Sequence, residues 1–90
     1  MNKLECLRSE IDKIDTRLIE LFERRMDISQ EIAEYKKNNC IPIFDEERER
    51  EVLEKNIEKA KKHRVYVSEF MNCIMIISKK IQKVLFEKEN

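Results

Sequence analysis

The 90-residue chain has no glycine and no tryptophan, one proline and one histidine. Without glycine it cannot build the loops that let backbone close around a phosphate or a dinucleotide. His63 and the scattered Cys6, Cys40 and Cys73 offer none of the close spacings that hold zinc or an iron cluster, so no metal or cofactor is expected. Three cysteines cannot all pair with one another. They are expected to be reduced thiols filling space, and nothing beside them activates a Cys–His nucleophile. No apolar run approaches the ~20 residues that span a bilayer. Asn2, Lys3 and Glu5 stand where a leader would need apolar residues, so a cytoplasmic protein without membrane contact is expected. Nineteen Lys and Arg balance nineteen Asp and Glu, leaving no overall field to draw a nucleic acid. The basic stretch 55–64 also lacks the interleaved aromatics on which bases stack.

What remains is a chain with 42% charged and 41% hydrophobic residues and almost no helix breakers, which predicts an all-α fold. Leu4, Leu7, Ile11, Ile14, Leu18, Leu21, Ile28, Ile32 and Tyr35 recur at steps of three and four, so residues 4–37 read as one amphipathic helix. Asn38, Asn39 and Pro42 end it. Asp45 is a good cap for a second helix over 45–63, with His63 set against its C-terminal dipole, and Ser68 a plausible cap for a third over 67–88. No repeat or linker divides the chain, and 1–90 is expected to be a single domain. Such a chain alone buries only about two thirds of its surface. The first helix would be roughly 50 Å long and the others about half that, too short to cover its stripe. A second copy, with the long helices side by side and antiparallel, solves the problem, so an intertwined homodimer is expected.

Several polar residues stand where apolar ones belong. The stripe requires an apolar residue between Leu21 and Ile28, and the chain has Arg25 there. A guanidinium facing a core needs an anionic partner, because it cannot shed its charge. Lys36 lies roughly 16 Å further along nearly the same face, so the two could grip a small anion between them. Arg8 is roughly 25 Å from Arg25 and can only serve a pocket on a partner chain. Arg48 and Glu49 each precede an inward Val or Leu by four and point inwards at the start of the second helix. Ser78 and Gln82, one turn apart, interrupt the apolar face of the third; Ser78 can bond back to its own helix, whereas Gln82 needs a partner. Each has a plain structural reading: Arg8 on a solvated face, Lys36 against a helix dipole, Arg48 and Glu49 as a mutual ion pair or a mate for Arg25. Together with Asp45 they form a mostly cationic set suited to a small dicarboxylate, with chemistry by positioning and charge.

In order and spacing, the set resembles the all-helical class of chorismate mutase over essentially the whole chain. The matching segments are Leu7-Arg8-x-x-Ile11-x-x-Ile14-Asp15, Leu21 to Arg25, Lys36, Pro42-Ile43, Asp45-x-x-Arg48-Glu49 and Ser78-x-x-x-Gln82. The resemblance implies a dimer of three-helix chains that rearranges chorismate to prephenate without a cofactor. It implies that Arg25 and a partner copy's Arg8 bind the two carboxylates, with Ser78 beside the ring carboxylate. It further implies that Lys36 and Gln82 donate to the ether oxygen, that Glu49 holds the ring hydroxyl, and that Asp45 and Arg48 line the same wall. An isochorismate pyruvate lyase of the same fold and a non-enzymatic helical dimerisation domain are the alternatives. With no second domain in view, no feedback inhibition by Phe or Tyr is expected from this chain alone. An amide at position 82 donates a hydrogen bond at any pH, whereas a carboxylic acid must first be protonated. Turnover should therefore be flat from mildly acidic to mildly alkaline buffer; a steep loss above neutrality, with assembly unchanged, would contradict that role for Gln82.

Overall fold

The computed structural model describes residues 2–87, and among them every regular element is a helix. Helix α1 runs Lys3–Asn38, α2 Glu46–Lys59 and α3 Arg64–Glu87. Asn2 caps α1, its side chain accepting from Glu5 N at 2.9 Å. Asp45 caps α2, accepting from Arg48 N at 3.0 Å, as its position predicts. With no glycine available, two ordinary residues take left-handed backbone in the connections, Cys40 at φ 55° just after α1 and His63 at φ 56° just before α3, each at a cost of about 1 kcal/mol.

Two expected boundaries are corrected here. Ala60 turns to extended backbone (φ −72°, ψ 122°), so α2 ends at Lys59 instead of 63, and left-handed His63 immediately precedes α3, which begins at Arg64 instead of 67. His63 therefore does not sit on the end of α2. Its carbonyl instead accepts from Val67 N at 2.9 Å in the first turn of α3, while Arg64 Nε reaches back to Ala60 O at 3.2 Å. Ser68 lies inside α3 and caps nothing. The expected end of α3 at Lys88 lies outside the described residues.

Helix α3 packs against both α1 and α2. The buried core is small: Met26, Ala33, Met71, Ile74 and Met75, with Phe22, Val52, Leu53, Val67, Ile77 and Ile81 packed around Met26, Met71 and Ile74. The face that α1 turns to α3 carries Phe22, Met26, Ser29 and Ala33, one column over from the aliphatic stripe. Small residues at 29 and 33 let the two backbones approach. The aliphatic stripe itself, from Leu4 to Tyr35, is between 44% and 65% exposed. Phe44, Phe70 and Val84 are also exposed, and so are all three thiols, which corrects their expected role as space fillers.

The shape accounts for this. The chain measures 56 × 27 × 14 Å, and a helix with its side chains is about 10–12 Å across. Three helices in a slab one helix thick cannot bury both of its faces. The radius of gyration is 16.7 Å, against roughly 12 Å for a compact domain of this length. No helix among the described residues is long and apolar enough to cross a membrane.

Candidate active site

The three helices and the α1–α2 loop line an open pocket of about 160 Å³. Helix α1 supplies Arg25, Ser29 and Lys36, and the loop supplies Ile43 and Asp45. Arg48 and Glu49 come from the first turn of α2, and Ser78, Lys79 and Gln82 from α3. Arg25, Lys36, Asp45, Arg48, Glu49, Ser78 and Gln82, scattered over 58 positions of sequence, thus meet at one place. Arg8 does not join them. It lies exposed near the start of α1, as the length of that helix requires.

Gln82 and Ser78 are buried, and their partners are across the helix pair. Gln82 Nε2 donates to Ser29 O at 3.1 Å. A carbonyl only accepts, so this bond fixes which end of the amide is nitrogen and leaves the second N–H available to the pocket. Ser78 Oγ lies 2.6 Å from Ser29 Oγ, a bond from α3 to α1 in place of the expected bond back to its own helix. Among the described residues no buried side-chain nitrogen or oxygen lacks a partner. Sequence reasoning passed over Ser29. Its signal was the step pattern 22, 26, 29, 33, in which one serine faces the third helix.

Lys36 is half-buried and donates to Ile43 O at 3.0 Å. That uses one of its three N–H bonds and holds the ammonium at the pocket's edge. Asp45 spends one oxygen on the cap of α2, which fixes the helix that carries Arg48 and Glu49. These two do not pair with each other or with Arg25, contrary to their structural reading. Arg48 points to the rim and binds Glu51 at 2.6 Å, and Lys55 reaches the same Glu51 oxygen at 3.1 Å. The hydrogen bond and charge of Lys55, with Arg48 behind them, hold the exposed Glu51 carboxyl below its usual range. Glu49 turns inwards and meets Lys79 Nζ at 3.1 Å. Sequence reasoning also passed over Lys79, which is hard to tell from its neighbour Lys80 until the helix is placed.

Arg25 is half-buried and makes no hydrogen bond or ion pair with any described residue. It stands where three hollows meet: the pocket itself, an apolar hollow of about 340 Å³ walled by Leu18, Phe22, Phe70 and Ile74, and a cleft shared with Arg48, Lys55 and Lys59. Loss of water around it, and then the charge of Arg48, depress its pKa. The guanidinium still stays protonated at any working pH, so its cost to the fold is read by substitution and not by titration. Replacing a half-buried cation that lacks an anionic mate by an apolar side chain of similar length relieves that cost. Arg25→Met should raise the ligand-free stability by about 1 kcal/mol in urea unfolding at fixed protein concentration; a loss of that size would mean that Arg25 has a mate in the folded protein.

A pocket with Arg25 and Lys36 on one wall, a fixed amide donor on another and a carboxylate opposite can hold a small anionic ring by several points at once. The family description "Chorismate mutase type II" matches residues 7–83. A stand-alone "Chorismate mutase" from Methanocaldococcus jannaschii is 34% identical over 72% of this chain and 66% of its own length. The "Bifunctional chorismate mutase/prephenate dehydratase" of Aquifex aeolicus is 42% identical over 61% of this chain but only 15% of that protein. The "4-amino-4-deoxychorismate mutase" of Streptomyces venezuelae is 37% identical over 48% of this chain and 42% of its own. The chain thus spans a small part of the bifunctional relatives and about two thirds of the stand-alone one. No solved structure matches. Matched from before Arg8 to beyond Gln82, the chain belongs to the chorismate mutase type II family.

Proposed function

We propose that the chain catalyses the intramolecular rearrangement of chorismate to prephenate, an isomerase reaction that serves phenylalanine and tyrosine synthesis. The observation that carries this reading is Arg25: a half-buried cation without a mate, opening on a pocket whose other groups are Lys36 and the fixed amide of Gln82. One ether C–O bond breaks and one C–C bond forms within a single molecule. No acid, base or cofactor is consumed, so the protein's work is to hold the two arms of the substrate together and to stabilise charge. Arg25 binds one carboxylate of chorismate, with Ser78 beside the ring carboxylate. Lys36 and the second N–H of Gln82 aim at the ether oxygen, where negative charge grows as the bond lengthens. Glu49 receives the ring hydroxyl, and Asp45 and Arg48 complete that wall.

With Lys36 assigned to the ether oxygen, Arg48 paired with Glu51 and Lys79 with Glu49, the second carboxylate needs a further cation, and Arg8 of an antiparallel second copy fits that need. The exposed surface is 7748 Å², and a compact monomer of this mass would show about 5,600 Å². The excess is of the size that a tightly joined dimer buries, and the bare stripe from Leu4 to Tyr35 is the apolar face it would bury. An isochorismate lyase draws no support from the relatives' names. A non-enzymatic dimerisation domain, in which the seam charges pair between chains, predicts instead that no small dicarboxylate stabilises the protein.

Purified protein incubated with chorismate should deplete it and yield prephenate; formation of pyruvate or no depletion would refute the reading. Lys36→Ala should cost about 3 kcal/mol or more in kcat, a fall of over a hundredfold, with a smaller change in KM. Sedimentation should give a dimer at micromolar concentration. Mixing the inactive variants R8A and K36A after joint refolding should restore about a quarter of the unaltered rate, because half the dimers then contain one intact site. Mixtures that stay inactive would place Arg8 outside the partner's pocket.

A further inference from the structure

Lys79 lines the pocket and has no task in the reading above. Its ammonium lies 3.1 Å from one oxygen of Glu49 and 3.4 Å from the other, so it bridges the carboxylate. The same ammonium lies over the ring of Phe44, 5.1 Å from centroid to nitrogen, a cation over an aromatic face. Both side chains of the ion pair are about one third exposed. A lysine held by both a carboxylate and an aromatic ring keeps its charge in one place, beside the group proposed to receive the substrate's ring hydroxyl.

We propose that Lys79 is a specificity-determining residue, which makes the site choose a neutral hydroxyl over an ammonium at the ring position that Glu49 receives. The inference rests on the placement of the ring hydroxyl at Glu49. A bare carboxylate prefers an ammonium, because a hydrogen bond between two ions is roughly twice as strong as one with a neutral donor. Glu49 is not bare. With Lys79 across its oxygens the pair is neutral as a whole, yet each oxygen keeps a lone pair with which to accept from a hydroxyl. An ammonium brought to the same oxygens would stand within about 4–6 Å of Lys79 Nζ, where like charges repel strongly in a half-buried site. The contact with the ring of Phe44 adds to the Glu49 ion pair in keeping the ammonium at that place.

A suitable probe pair is chorismate and 4-amino-4-deoxychorismate, which carries an amine, protonated at neutral pH, in place of the hydroxyl. The ratio of their kcat/KM values is the readout, because damage to the fold lowers both rates together and leaves the ratio alone. The unaltered protein should favour chorismate. Lys79→Met and Lys79→Gln, both good helix formers, should shift the ratio towards the amine by about tenfold, and Lys79→Arg should keep it within about twofold. Parallel falls of both rates in Lys79→Met, with the ratio unchanged, would overturn the role of Lys79 and leave the mutase reading standing. So would an unaltered protein that favours the amine. Failure of the unaltered protein to convert either compound would remove the mutase reading, and this inference with it.

Discussion

One guanidinium governs the site. Arg25 is pulled half out of water by the packing of α1 on α3, beside a second cation and with no carboxylate in reach. Such a group destabilises the fold that holds it unless an anion arrives. The two carboxylates that line the pocket are engaged elsewhere, Asp45 in capping a helix and Glu49 in holding Lys79, while Glu51 holds Arg48 and Lys55. The nearby acids are thus spoken for by contacts that also build the pocket, and in the proposed function the positive charge meets a bound anion.

The frame around Arg25 is built from small polar contacts. Ser29 is the hinge of the arrangement: its hydroxyl meets Ser78 and its carbonyl takes a proton donor from Gln82. Those two bonds lock α3 to α1 at the level of the pocket, where an all-apolar seam would allow the helices to slide. They also orient the amide, so that the donor aimed at the pocket is set before any ligand enters. Lys36 is restrained in the same way by the carbonyl of Ile43. Preorganised donors lose little on binding, which is what a reaction driven by position and charge requires.

The helices and most of the site could be read from the sequence because they depend on local rules. Three-four periodicity gave α1 to within a residue, Asp45 announced α2, and polar residues on or beside the apolar stripes, together with Asp45, marked seven of the pocket's side chains. The misses come from long-range or backbone effects. Neither the extended backbone of Ala60 nor the left-handed turn at His63 has a sequence signal comparable to a glycine or proline, so the connection between α2 and α3 was misplaced. The aliphatic stripe of α1 looked like the core seam, but the chain packs the neighbouring column of Met26, Ser29 and Ala33 against α3 and leaves the aliphatics outside. Periodicity tells which residues share a face, not which element covers it. Ser29 and Lys79 were missed because their partners lie 49 and 30 residues away in sequence.

In the proposed reading, the bare stripe of aliphatics and the cation without a mate within its chain are two parts of one design, which a second chain and a dianion would complete. The most direct measurement is the unfolding midpoint of the unaltered protein and of Arg25→Met across a titration with a non-reacting cyclic dicarboxylate shaped like the substrate. Stabilisation of the unaltered protein should grow with ligand concentration, reaching about 2.7 kcal/mol at a hundred times Kd, and should be largely absent in the variant. Equal stabilisation of both proteins, or of neither, would contradict the claim that the charge at position 25 is held in readiness for an anion.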